Sequence, residues 1–125
     1  MSLNIKEKYG LLINNEWVPA SDGAEFAVYN PANGDQLAVC AEATQADVDK
    51  AVEVATEAFK TWKHVSQVDR ADYLLKIADA IDAHKEHLAQ VETYDNGKPI
   101  RETLNVDVPL GADHFRYFAG VLRAE

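Results

Sequence analysis

The sequence predicts an α/β fold, with a small antiparallel β meander followed by a mainly helical segment. Two observations lead to this class. Before residue 41, short apolar runs are separated by tight polar turns, and after residue 44 the apolar residues recur every three or four positions. These are the periods of half-buried strands and of amphipathic helices.

Residues 1–10 alternate charged and apolar side chains and read as a flexible amino-terminal arm. Leu11-Leu12-Ile13 leads through Asn14-Asn15-Glu16 into Trp17-Val18, the order of two strands joined by a tight turn. Asp22-Gly23 marks a second turn before a strand over Phe26–Tyr29. Asn30-Pro31-Ala32-Asn33-Gly34-Asp35 is the strongest turn signal, because proline fixes one dihedral and glycine accepts a positive φ. Leu37–Ala41 is the next strand, so residues 11–41 form the expected meander.

Thr44 is suited to cap a helix, with Asp47 placed to complete a capping box. Val48, Ala51, Val52, Ala55, Phe59 and Trp62 then form one apolar stripe on a helix over 45–63. Ser66 and Asp69 repeat the start signal. Ala71, Leu74, Leu75, Ala78 and Ile81 supply the buried face of a second helix. The polar run 82–87 favours a break near residue 84, giving a third helix that Asn96-Gly97 ends. Pro99 suits a first helical position. The last segment reads either as a new helix from Asp107-Val108-Pro109 or as one continuous helix bent at Pro109, with Phe115, Phe118, Ala119 and Leu122 on one side.

The chain has 125 residues, 47% of them hydrophobic, and a formal net charge of −9. Such an acidic balance disfavours long-range attraction to nucleic acid or anionic lipid, so neither is expected as a partner. No apolar run approaches the ~18 residues of a membrane span, and the start lacks the pattern of a signal peptide. Cys40 is the single cysteine, which excludes an intrachain disulfide and fits a reducing, cytoplasmic setting.

The chemistry-bearing residues are sparse. Neither a Gly-x-Gly-x-x-Gly dinucleotide fingerprint nor a P-loop occurs. His84 and His87 share a helical spacing but have no third ligand in view, so they read as a solvated junction. His114 reads as the edge of a core or interface. Cys40 lies in an apolar strand without a base beside it. Glu92, Asp95, Lys98, Arg101 and Glu102 form the densest polar segment, read as the structural closure of a helix.

Five stretches in order carry a resemblance: Ile13–Trp17, Tyr29–Gly34, Ala46–Val52 with Ala58–Trp62, Glu92–Pro99, and Phe115–Gly120. Together they resemble the amino-terminal segment of NAD(P)-dependent aldehyde dehydrogenases, from about residue 11 onward. Val65–Arg70 and Ile100–Tyr117 look most like bacterial acetaldehyde or short-chain aliphatic aldehyde dehydrogenases. The resemblance implies that residues 11–125 form the amino-terminal part of a coenzyme-binding domain, with catalytic and oligomerisation domains outside this chain. It implies a parent enzyme that oxidises an aldehyde with NAD or NADP through a cysteine nucleophile, an asparagine and a glutamate, all beyond residue 125. Within this chain it assigns no catalytic and no cofactor-binding residue, and no tight coenzyme binding. Asp107 is carried over as a candidate ligand of a structural monovalent cation. The implied partners are the remainder of the parent enzyme and further copies, as a homo-oligomer or by swapping of helices. A chain that stops within a helical pattern fits a piece of a longer enzyme; the alternative is a self-standing, non-catalytic helical interaction module.

Overall fold

A computed structural model describes residues 4–124. The chain divides into two compact units, residues 5–64 and residues 65–124.

The first unit holds five short strands and one helix. β1 (Lys8–Tyr9), β4 (Glu25–Tyr29) and β5 (Gln36–Ala41) make a three-stranded sheet in the order β1-β5-β4. β5 runs antiparallel to β4 and parallel to β1, with Tyr9 opposite Cys40. β2 (Leu11–Ile13) and β3 (Glu16–Val18) form a separate antiparallel hairpin. The expected small sheet is therefore present, but it is divided in two. The stretch read as an arm also contributes a strand, because two of its residues complete the free edge of β5.

The turns explain this division. Asn14 and Asn15 both have positive φ, 54° and 63°, the requirement of the two-residue turn whose twist matches a hairpin. Gly10 passes so close to β3 that a Cβ there would stand 2.6 Å from the Val18 carbonyl oxygen. Buried Asn30 organises the long turn: its Oδ1 accepts from Ala32 N–H at 2.9 Å, and its carbonyl accepts from Gly34 N–H at 2.8 Å. α1 (Gln45–Trp62) starts where expected, on a complete Thr44–Asp47 capping box.

The second unit is helical: α2 (Gln67–Ala83), α3 (Lys85–Asn96), α4 (Ile100–Glu102), a π-helical turn (Thr103–Asp107) and α5 (Val108–Ala124). The break at residue 84 is observed, with His84 at φ −112° and ψ 16° between α2 and α3. Gly97 closes α3 in the left-handed region at φ 79°. From residue 100 the helix is continuous through Pro109, the second of the two sequence alternatives. The π turn is the device that permits it. Proline has no N–H for the carbonyl four residues back, and its ring crowds that carbonyl. Widening the turn, so that Val108 N–H reaches the Thr103 carbonyl five residues back, carries the chain past the obstacle.

α5 packs along α2, and the pairing is antiparallel. Arg116 reaches Asp79 and Asp82, at 3.0 and 2.7 Å, while Arg123 reaches back to Asp72 at 2.6 Å. Ala71 and Ala78 of α2 and Ala112 and Ala119 of α5 are buried, each pair seven residues apart. Small side chains at this spacing let two helices approach closely.

The apolar core has an unusual composition. Among the described residues, every buried hydrophobic residue is alanine, whereas eighteen large apolar residues are exposed. The stripe on α1 is an example, with Val52 at 60% and Phe59 at 57% exposure. No helix among the described residues is long and apolar enough to cross a membrane.

Candidate functional site

The polar segment at the end of α3 is the densest cluster of candidate residues, and its geometry is that of a closed joint. Asn96 donates from Nδ2 to Glu92 Oε1 at 2.5 Å and accepts at Oδ1 from Lys98 N–H at 2.7 Å. Gly97 N–H closes the helix on the Thr93 carbonyl. Beyond the turn, Lys98 Nζ lies 2.5 Å from Asp107 Oδ2 in the π turn. The Asp107 carboxylate beside it raises the Lys98 pKa above the ordinary lysine value, against the opposing effect of desolvation. Arg101 is engaged with the adjacent Glu102.

Behind this joint sits Thr103, the largest fully buried side chain among the described residues. Its hydroxyl donates to the Ala89 carbonyl at 3.0 Å and lies 2.9 Å from Thr93 Oγ1. Two threonines therefore clamp α3 to the π turn. Nothing in the sequence pattern singles out Thr103; the signal lies in the π turn, which helical periodicity does not register.

Asp107, the candidate cation ligand, holds an ammonium group in this structure. A metal ion there would have to share Asp107 with Lys98 or displace it. Among the described residues, no three His, Cys, Asp or Glu side chains cluster as a metal would need. His84 and His87 are exposed at the α2–α3 junction, and His114 is exposed on α5. Cys40 is half-buried in β5 opposite Tyr9 and Phe26.

The second polar centre is Asp47. Its carboxylate accepts from Thr44 N–H at 2.9 Å and from Ser21 N–H at 3.1 and 3.2 Å, with both hydroxyls close by. These bonds, led by the one from Thr44 N–H, hold its pKa below the ordinary aspartate value. The cap was legible in sequence; the tie to Ser21, twenty-six residues earlier, was not. This arrangement also bears on coenzyme binding. A dinucleotide's pyrophosphate favours free amides at a helix start that follows a strand. At the β5–α1 junction a carboxylate already stands there, so that junction does not fit a pyrophosphate.

The fold is that of the amino-terminal part of the aldehyde dehydrogenase architecture, with small sheets followed by a helical segment. Comparison with known proteins agrees. Residues 17–125 match the aldehyde dehydrogenase family, and the chain belongs to that family. It is 47% identical over 123 residues to an acetaldehyde dehydrogenase of Pseudomonas aeruginosa, covering 98% of this chain and 24% of that protein. The crystal structure of a putative aldehyde dehydrogenase from Burkholderia cenocepacia superposes with a TM-score of 0.89 at 43% identity, over 92% of this chain and 24% of that one. The NAD+ complex of a Bacillus cereus aldehyde dehydrogenase gives 0.88 at 42% identity, over 94% and 24%. This chain thus spans about a quarter of the length of each of these relatives.

Proposed function

We propose that this chain builds the amino-terminal scaffold of an NAD(P)-dependent aldehyde dehydrogenase acting on a short aliphatic aldehyde such as acetaldehyde. In this reading the chain itself supplies no reacting group. One observation carries the scaffold role: the buried apolar residues are alanines, while Val48, Val52, Phe59 and Trp62 of α1 and Leu110, Tyr117 and Phe118 of α5 are exposed. Exposed apolar surface on this scale marks a surface that another polypeptide covers. The likeness to the Pseudomonas acetaldehyde dehydrogenase supports the substrate class.

In the complete enzyme the bound coenzyme accepts the hydride. The residues described here would contribute rigid geometry, through the α2–α5 seam and the Lys98–Asp107 joint, to the domain that holds it. A chimera provides the test. This sequence replaces the matched stretch of the Pseudomonas enzyme, and NAD-dependent oxidation of acetaldehyde is measured. Retained turnover is expected; a folded chimera without turnover would sink the proposal.

A further inference from the structure

The pair Asn–Gly occurs twice, at 33–34 in the turn between β4 and β5 and at 96–97 at the end of α3. It is the dipeptide in which a chain most readily attacks itself, because glycine has no side chain to shield its own amide nitrogen. The two copies are matched in their bonding. At each, the glycine has φ 79° and its N–H donates to the carbonyl four residues back, that of Asn30 or Thr93. The asparagine Oδ1 accepts from the N–H two residues on, that of Asp35 at 3.0 Å or Lys98 at 2.7 Å. Nδ2 donates to a carboxylate, that of Asp35 at 2.7 Å or Glu92 at 2.5 Å. Both asparagines are exposed. The bond to Oδ1 polarises the side-chain carbonyl and is placed to hold the negative charge that attack on Cγ builds. The carboxylate is placed to hold the positive charge of a departing amine.

What differs is the cost of freeing the nucleophile. Asn96 is the last residue of α3, and a helical backbone carries the next amide nitrogen away from the side chain. Turning Gly97 inward unwinds the end of α3, which is braced on both sides: Thr93 by fully buried Thr103, and Lys98 by Asp107. Asn33 lies outside any helix, in an exposed turn over 31–36. Buried Asn30 anchors that turn through backbone bonds to Gly34 and Asp35, and leaves the Asn33 side chain outside. The β4–β5 ladder beside it carries a register shift between Val28 and Tyr29. Local opening costs least where few buried contacts must break.

We infer that Asn33 is a self-modification site, at which the turn converts to aspartyl and isoaspartyl forms while Asn96 is protected. The Gly34 nitrogen gives its proton to solvent base and bonds to Asn33 Cγ. The Cγ–Nδ2 bond breaks, and the amine takes a proton from water and leaves as ammonia. Water then opens the resulting succinimide at either carbonyl. One product carries its new carboxylate on the side chain; the other routes the backbone through Cβ and Cγ. Both add a negative charge, and the second lengthens the β4–β5 connection by one methylene. This modification depends on the chain's own backbone and not on the activity of any longer protein.

The whole chain, held in mildly alkaline buffer made with heavy-oxygen water and mapped by peptide mass spectrometry, tests it. Conversion at Asn33 should outpace that at Asn96 by at least about tenfold, with both isomers present and one heavy oxygen taken up. In denaturant the two rates should converge to within about threefold, because the restraint on α3 is gone. Thr103→Val, with circular dichroism confirming the fold, should speed Asn96 about threefold or more and leave Asn33 unchanged. Amide exchange in the unaltered chain reads the same restraint without a mutation, with Gly97 slower than Gly34. An Asn33 that stays intact in the folded chain while the denatured chain converts overturns the proposal. So does an Asn96 that keeps pace with it, or a Gly97 amide that exchanges faster than that of Gly34. A rate ratio that survives in denaturant also overturns it, by making sequence context and not the fold the cause. The same holds for a folded Thr103→Val chain in which Asn96 is as slow as before.

Discussion

The strand-bearing unit and the helical unit are held together by different means. Residues 5–64 rely on backbone positions and on side chains that bond to backbone: Asn30 in its turn, Asp47 across to Ser21, Gly10 against Val18. Residues 65–124 rely on side chains meeting side chains, through the alanine seam, the Arg–Asp pairs and the Thr93–Thr103 clamp. A unit of the first kind is sensitive to dihedrals and donors. A unit of the second kind is sensitive to volume.

The largest expected effect tests the volume rule. Ala78→Leu forces three more carbons into a site with no exposed surface, at a cost of about 3 kcal/mol. The measurement is denaturant unfolding, together with loss of amide exchange protection in α2 and α5; an unchanged midpoint would refute the seam. Next comes the backbone rule. Gly10→Ala should cost about 2 kcal/mol, because the added Cβ meets a carbonyl oxygen at 2.6 Å and not a yielding side chain. Removing the α1 cap by Thr44→Ala should cost about 1 kcal/mol in the same unfolding assay. The smallest effect has the opposite sign. Asn15→Gly should stabilise the β2–β3 hairpin by about 0.5 kcal/mol, because glycine holds the 63° φ without a steric penalty.

Titration sharpens the contrast further. The pKa of Asp47 is lowered on folding, so its contribution is complete above the unfolded value of about 4 and disappears as pH falls through the folded value. The pKa of Lys98 is raised on folding, so its contribution is complete below the unfolded lysine value and disappears as pH rises through the folded one. Acid should therefore loosen the first unit, and strong alkali the second. Amide exchange followed across pH reads both, and Asp47→Asn should flatten the acid limb.

Local signals made the helices legible. Thr44 and Ser66 announced two starts, the polar run at 82–87 announced the break, and Gly97 announced the end of α3. Each is a short-range preference that tertiary contacts had no cause to override. The strands were legible one by one, but their pairing was not. β1 is two residues long and pairs with β5 across some thirty residues, and nothing in its own pattern specifies that partner. The same limit hid the hubs of the polar centres. Asp47 was visible as a cap but not as the anchor of Ser21, and Asp107 drew notice without Lys98. Thr103 has no signature at all, because its burial follows from how α3 meets the π turn. Buried positions were misjudged in one direction. Periodicity marked the stripes on α1 and α5 as buried faces, whereas Val48, Val52 and Phe59 of α1 and Phe118 of α5 are exposed.

The π turn also sets the rotational phase of everything that follows it. Each residue advances a helix by about 100°, so the widened turn between Thr103 and Asp107 decides which side of α5 meets α2. Ala112, Arg116, Ala119 and Arg123 face the seam only in that phase. An insertion or deletion of one residue in the loops before β5 would be absorbed locally. The same change at 103–107 would turn the aromatic side of α5, with Tyr117 and Phe118, toward the space that the alanines occupy.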